Sequence, residues 1–175
     1  MNKSINEISL TSQTVIGVIF SKDQKEVLLI ERRDVPVWVL PGGGIEKEET
    51  VEQACIREVL EETGFHVRIL RKVGEYLPVN RLARFTHLFE CEIVKGNPTI
   101  GLETKEVKFF PAKKLPALIP PPYDEWIEDA QKKIQGLLKK KLIRIKYSTL
   151  LFHLFRHPIL VVRFLLTKLG LTINT

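Results

Sequence analysis

The amino-acid sequence predicts a mixed α/β fold, in which helices cover a β-sheet. Short apolar segments bounded by turn-forming residues predict the strands, and segments with helical periodicity lie between and after them. Strands interleaved with well-separated helices imply a sheet that is covered on both faces. A chain of 175 residues with 44% hydrophobic content can bury one sizeable core and is too short for two ordinary ones.

Local signals along the chain predict the individual strands and helices. Strands are expected at residues 14–20, 27–31, 37–40, 65–73, 84–94 and 106–110. The first helix begins after Thr50, which forms a capping box with Gln53, and ends at Gly64, which suits a left-handed C-cap. A second helix begins near Tyr123 and is expected to run to about residue 141, because apolar side chains recur there at helical spacing.

The first predicted helix and its flanks carry an unusual concentration of charge, with one arginine and seven glutamates between Gly43 and Phe65. Glu58, Glu61 and Glu62 share one face of the helix, because side chains three and four positions apart lie together, and like charges at this spacing repel. Carboxylate oxygens are ligands that Mg²⁺ or Mn²⁺ prefers, and magnesium is usually shared between a few carboxylates and substrate phosphates. The segment therefore predicts a metal site for phosphate chemistry.

The same residues resemble the Nudix box, whose pattern is Gly, five residues of any kind, Glu, seven of any kind, then Arg-Glu-aliphatic-any-Glu-Glu-any-Gly-aliphatic. The corresponding positions here are Gly43, Glu49, Arg57, Glu58, Val59, Glu61, Glu62, Gly64 and Phe65. Only Phe65 departs from the pattern, being aromatic where the family prefers an aliphatic residue. The resemblance implies an α/β/α sandwich with a mixed sheet and a Nudix hydrolase domain at residues 1–130.

The resemblance also implies a reaction and a set of site residues. Proteins of this family cleave a pyrophosphate bond in a nucleoside diphosphate linked to another group, which implies a pyrophosphohydrolase with Mg²⁺ or Mn²⁺ as cofactor. The residues expected at the metal are Gly43, Glu58, Glu61 and Glu62. Arg57 is expected to orient a carboxylate, while Glu49 and Gly64 support the motif.

The general base and the substrate are less closely defined. In this family the base is either a box glutamate or an acid on a later loop, and Glu103 or Glu106 could be that acid, although both could simply belong to a solvated turn. Arg32, Arg81 and Arg84 are candidates for contacts with phosphates or a nucleobase. Nucleoside triphosphates, ADP-ribose-like compounds and dinucleoside polyphosphates all remain open as substrates.

A different class of function is a binding module that senses a nucleotide or an ADP-ribose-like ligand, with a membrane as a potential location. The complete set of Glu58, Glu61 and Glu62 argues against this alternative, because a pure sensor does not need a hydrolytic cluster.

The C-terminal part of the chain has a different character. Ten of the 27 basic residues and none of the 21 acidic ones follow residue 129, so this part carries +10 and the preceding residues carry −4. Residues 142–175 are predicted to form a basic amphipathic helical tail, and charged residues interrupt its apolar runs well short of the roughly 20 residues that span a bilayer.

Three roles compete for this tail. It could lie on an anionic membrane surface, pack on its own domain or on a second subunit of a homodimer, or bind nucleic acid, which its apolar character disfavours. The N-terminal residues lack the apolar stretch of a signal peptide, so a cytoplasmic location is expected, with the tail as a potential peripheral membrane contact.

Overall fold

The computed structural model describes residues 13–146 and the helical positions 158, 159, 162 and 166. In this part of the chain the elements are β1 (Gln13–Ile19), β2 (Glu26–Arg32), β3 (Trp38–Val39), β4 (Gly42–Gly44), α1 (Val51–Thr63), β5 (Phe65–Leu77), β6 (Phe85–Gly96), β7 (Thr104–Pro111), α2 (Tyr123–Gln131) and β8 (Leu138–Lys141).

The strands form two sheets. The larger sheet has the order β4-β1-β6-β5-β8, and the smaller sheet has the order β3-β2-β7. In the larger sheet β1 runs parallel to β6 and β8 runs parallel to β5, whereas the other pairs are antiparallel. The predicted α/β class with a mixed sheet is therefore confirmed.

Strand β1 is buried on both of its faces, and this places a helix on each side of the larger sheet. Ile16 and Val18 belong to one hydrophobic cluster, and Val15 and Ile19 belong to a second. The first cluster contains Trp126, Ile127 and Ala130 of α2. The second contains Ala54, Cys55 and Val59 of α1. Alternate side chains of one strand thus anchor both helices.

Both ends of α1 form as predicted. The backbone N–H of Gln53 donates to the Thr50 hydroxyl oxygen at 3.2 Å, and the backbone N–H of Thr50 donates to the Gln53 side-chain oxygen at 2.8 Å. Gly64 ends the helix with φ 75°, and its N–H donates to the Leu60 carbonyl oxygen at 2.8 Å. A Cβ atom at Gly64 would lie 2.7 Å from the Asn97 carbonyl oxygen, so both backbone angle and space require glycine.

The predicted continuation of the second helix to about residue 141 is wrong. Helix α2 ends at Gln131, and residues 138–141 form β8, which pairs in parallel with the end of β5. Lys133 has φ 45° and Gly136 has φ 94°, and these angles turn the chain out of the helix. Strand β8 supplies hydrogen bonds to the edge of β5, which local sequence periodicity cannot anticipate.

A buried ion pair joins β8 to α2. Asp129 is 0% exposed, and both of its carboxylate oxygens accept hydrogen bonds of 2.7 Å from the Lys140 ammonium group. The Tyr76 hydroxyl donates to the same carboxylate at 2.9 Å, so Tyr76 is a packing residue of the core. Leu142 is 3% exposed within the same cluster. The packed core therefore continues beyond residue 130, to at least Leu142.

Residues 142–146, where the helical tail was predicted to begin, are not helical. Positions 158, 159, 162 and 166 are helical, and the remainder of the predicted tail lies outside the described residues. Within the described part of the chain, no helix has the length and apolar character needed to cross a bilayer.

Gly17 allows α1 to pack closely on β1. A Cβ atom at Gly17 would lie 2.7 Å from Cγ2 of Val59 and 3.6 Å from Sγ of Cys55. Both of these side chains are fully buried, so neither can move aside easily. We expect Gly17→Ala to lower the free energy of unfolding by about 1–3 kcal/mol through overpacking, as measured by urea denaturation.

Gly44→Ala is the matched control, because a Cβ atom at Gly44 has no neighbour within 4 Å. Equal stability losses in the two variants would contradict the close packing of α1 on Gly17.

Candidate active site

The residues of the predicted metal site meet where α1 faces the glycine strand β4. The backbone N–H of Gly42 donates to Oε2 of Glu62 at 2.7 Å, which fixes this carboxylate against the strand. At Gly43, a Cβ atom would lie 2.5 Å from the carboxyl atoms of Glu58. Since glycine has no side chain, the backbone of β4 can approach both helix carboxylates closely.

Arg57 connects the carboxylates of the site. Its guanidinium group donates to the two Glu49 oxygens at 2.7 and 3.1 Å and to the Gly44 carbonyl oxygen at 3.0 Å. The same group donates to Oε1 of Glu58 at 3.0 Å and reaches Oε2 of Glu61 at 3.4 Å. A planar guanidinium can hold several acceptors in fixed directions, so Arg57 orients Glu58 as it ties α1 to the glycine strand.

Glu58 and Glu62 are acidic side chains in a poorly hydrated position. Burial raises the pKa of Glu62 to about 8, and the charge of Glu58 adds to this effect while the Gly42 N–H opposes it. Burial also raises the pKa of Glu58, although hydrogen bonding from Arg57 opposes that change. Two such carboxylates favour a bound cation, because a positive charge would offset both the lost hydration and the mutual repulsion.

Glu61 differs from its two neighbours, since its side chain is 59% exposed and its nearest charged partner is Arg57. Glu61 therefore lies at the exposed rim of the site, whereas Glu62 is buried and Glu58 is partly buried. Among the described residues, no group of three or more His, Cys, Asp or Glu side chains is arranged as a complete metal site. The donors of Glu58 and Glu62 nevertheless suit a hard divalent ion, which accepts carboxylate, backbone and water oxygens together.

The two candidate loop acids lie in different surroundings. The charge of Glu103 contributes, after larger causes led by burial, to the raised pKa values of Glu58 and Glu62. Glu106 lies within β7, and its carboxylate is 4.0 Å from the ammonium group of Lys108. Of the two loop acids, Glu103 is therefore the one whose charge acts on the box glutamates.

Two residues near the site were not identified from the sequence. Asp34 is 7% exposed and accepts hydrogen bonds of 2.6 and 2.8 Å from Arg32. The positive charge of Arg32 acts to lower the pKa of Glu62, but the opposite effect of burial is larger. Burial raises the pKa of Tyr123 to about 12, and the charges of Arg32 and Glu62 also act on it. The sequence signals that could have indicated these two residues are an acid two positions after Arg32 and an aromatic residue at the start of α2.

The other predicted substrate contacts, Arg81 and Arg84, are exposed in the connection between β5 and β6. The side-chain amide of Asn80 holds this connection by donating to the Ile145 carbonyl oxygen at 2.6 Å. Substrate binding by the arginines of this connection and by Arg32 stays a prediction.

The family assignment rests on a model described as the NUDIX domain, which matches residues 11–130. The chain belongs to the Nudix family. This membership confirms the predicted family, its α/β/α fold and the enzyme class of Nudix-type pyrophosphohydrolase.

Two proteins that are similar to this Nudix protein are named for different nucleotide substrates. A putative 8-oxo-dGTP diphosphatase of Bacillus subtilis (strain 168) is 35% identical over 113 residues, which cover 64% of this chain and 75% of the relative. An ADP-ribose pyrophosphatase of Methanocaldococcus jannaschii is 37% identical over 106 residues, which cover 57% of this chain and 62% of the relative.

Among solved structures, an ADP-ribose pyrophosphatase from Streptococcus suis 89-1591 superposes with a TM-score of 0.60 at 22% identity, covering 75% of this chain and 98% of that one. This likeness shows the fold.

The buried Glu62 predicts a pH-dependent stability of the metal-free protein. Because its folded-state pKa of about 8 lies above the ordinary value of 4.5, protonation favours the folded state, so stability falls as pH rises from about 4.5 towards 8. We expect Glu62→Gln to remove most of this loss and to gain about 1–3 kcal/mol at pH 8 relative to the parent protein.

Urea unfolding in the presence of EDTA at pH 5 and pH 8 measures this difference. Glu52→Gln is the control, because Glu52 is an exposed acid on the same helix. Parallel pH dependences for the parent protein and Glu62→Gln would contradict the prediction.

Proposed function

We propose that this protein is a divalent-metal-dependent hydrolase that cleaves the pyrophosphate bond of a nucleoside diphosphate linked to another moiety. The observation that carries the proposal is the pair of carboxylates held against the backbone of Gly42 and Gly43, of which Glu62 is buried and Glu58 is partly buried. Within the family, this arrangement suits binding of a cation that is shared with substrate phosphates.

Glu58 and Glu62 would hold Mg²⁺ or Mn²⁺, with Gly43 offering backbone oxygen and Glu61 completing the site from its exposed rim. When bound, the cation would neutralise phosphate charge and lower the pKa of a water molecule. The Gly43 carbonyl oxygen already accepts a hydrogen bond of 2.6 Å from the Thr14 hydroxyl, which keeps this part of β4 in place. Arg57 would preserve the orientation of Glu58 in the loaded site.

Glu103 is the loop acid that we assign as general base. Its charge acts on both box carboxylates, and it precedes β7 on an exposed segment that solvent and substrate can reach. An exposed carboxylate beside a phosphate site can accept a proton from an attacking water. Arg32, which Asp34 holds from one side, would present positive charge towards the substrate phosphates.

Nucleotides are the substrate class, and the relatives support two kinds within it. One relative is named for 8-oxo-dGTP and another for ADP-ribose, so an oxidised nucleoside triphosphate and a nucleoside diphosphate sugar are the first compounds to assay. Dinucleoside polyphosphates complete the panel.

The carboxylate assignment predicts that Glu58→Gln and Glu62→Gln each lower kcat by about a thousandfold or more while the protein stays folded, because a neutral amide cannot offset the charge of the cation. Release of nucleoside monophosphate from the panel, with Mg²⁺ or Mn²⁺ and then with EDTA, measures the effect. Glu52→Gln should keep nearly full turnover, and near-normal turnover in Glu62→Gln would reject the assignment.

The assignment of the base predicts a difference between two neighbouring acids. Glu103→Gln should reduce kcat by about a hundredfold or more, as loss of a general base does. Glu106→Gln should change kcat by no more than a few fold, since its carboxylate lies near Lys108. Equal effects of the two substitutions would remove Glu103 from this role.

A further inference from the structure

A second surface, separate from the box glutamates, follows α2 at the edge of the larger sheet. Lysines and exposed aliphatic side chains alternate there, and we call this surface the basic strip. Its members are Lys133, Ile134, Leu137, Lys139, Lys141 and Ile143. The exposed fractions of the three aliphatic residues are 44% for Ile134, 41% for Leu137 and 60% for Ile143. Strand β8, which crosses the strip, is an edge strand.

A groove adjoins the basic strip and extends its apolar area. The groove has a volume of about 560 Å³. Its lining includes Lys133 and Ile134 of the strip, Leu70, Arg71 and Lys72 of β5, and Glu90 of β6, which is ion-paired with Arg71. Leu70 is 49% exposed. Exposed aliphatic side chains and basic side chains thus occur together on β5 and around β8.

Positive charge predominates in this region. Residues 130–146 contain no acid. The nearby carboxylates are ion-paired: Asp129 with Lys132 and Lys140, Asp124 with Arg144, Glu90 with Arg71, and Glu75 with Lys72 and Lys139. For Lys133 and Lys141, no ion pair occurs within the described part of the chain. The exposed charges of Lys133 and Lys141 therefore favour binding of an anionic partner.

We propose that the basic strip docks on an anionic lipid surface. A lipid interface offers phosphate groups to lysines and an apolar layer to aliphatic side chains, so it matches both components of the strip. A second copy of the same strip would place lysines against lysines, and a nucleic acid has no apolar layer to accept Ile134 and Ile143. The helical positions Ile159 and Val162, which are 74% and 49% exposed, add aliphatic surface later in the chain.

The topology makes docking compatible with hydrolysis. Strand β4, which bears the glycines of the candidate active site, and β8 lie at opposite edges of the larger sheet. Strands in a sheet are spaced by about 4.8 Å, so β4 and β8 are separated by about 19 Å. A lipid surface at β8 therefore leaves the β4 edge open to soluble nucleotides.

Vesicle co-sedimentation of the full chain tests the proposal. The protein should pellet with phosphatidylcholine vesicles that contain phosphatidylglycerol, should remain in solution with phosphatidylcholine alone, and should be released by high salt. The double variant Ile134→Glu/Ile143→Glu should bind the anionic vesicles about tenfold or more weakly, because it removes apolar insertion and adds repulsion. Lys133→Gln/Lys141→Gln should also weaken binding, by about tenfold.

Matched controls use residues elsewhere on the surface. Val94→Glu/Ile100→Glu changes aliphatic residues that are 60% and 52% exposed, and Lys22→Gln/Lys113→Gln removes the same charge as the lysine pair. Both controls should bind like the parent protein.

Several outcomes would overturn the proposal. The first is failure of the full chain to pellet with anionic vesicles, and the second is equal binding to neutral vesicles. The third is unchanged binding of both strip variants, because this result would assign vesicle binding to another part of the chain. A stable dimer in sedimentation velocity that dissociates in the strip variants would assign the surface to a second copy. Nucleotide hydrolysis in solution should be unchanged in the strip variants, so this test is independent of the proposed reaction.

Discussion

The candidate active site depends on holding two poorly hydrated carboxylates, Glu58 and Glu62, side by side although each repels the other. The surrounding structure supplies the forces that keep them there. Arg57 and the Gly42 N–H bind the carboxylate oxygens directly. The caps of α1 and its close packing on Gly17 prevent the helix from sliding away. The elements that stabilise α1 therefore also hold Glu58 and Glu62 close together, and a bound cation would relieve the repulsion between these two carboxylates.

The sequence predicted features that depend on neighbours along the chain and missed features that depend on distant pairings. Helix α1 has its caps and its carboxylate face within a short segment, so spacing alone located them. Strand β8 was mistaken for helix because its apolar residues also fit a helical period, whereas its real partner is β5. Glu103 could be distinguished from Glu106 only in the folded chain, where the charge of Glu103 acts on Glu58 and Glu62 and the carboxylate of Glu106 lies near Lys108.

The charge distribution gives the chain two electrostatic regions that act independently. The acidic region lies at the β4 edge of the larger sheet, and the basic strip lies at the β8 edge. The two edges are about 19 Å apart by strand spacing, which exceeds the Debye length of about 8 Å at physiological ionic strength, so dissolved salt weakens the attraction between the lysines and the carboxylates. The overall charge of +6 accordingly describes neither region.

The buried Asp129–Lys140 pair determines where the domain can be cut. The family model ends at residue 130, but a shortened protein ending there would lack Lys140 and would leave the fully buried Asp129 without its closest counter-charge. It would also lack β8, so the outer hydrogen-bonding groups of β5 would become an open template for another strand. The smallest unit suitable for recombinant work therefore includes Leu142 and extends to Ile145, whose carbonyl oxygen binds Asn80.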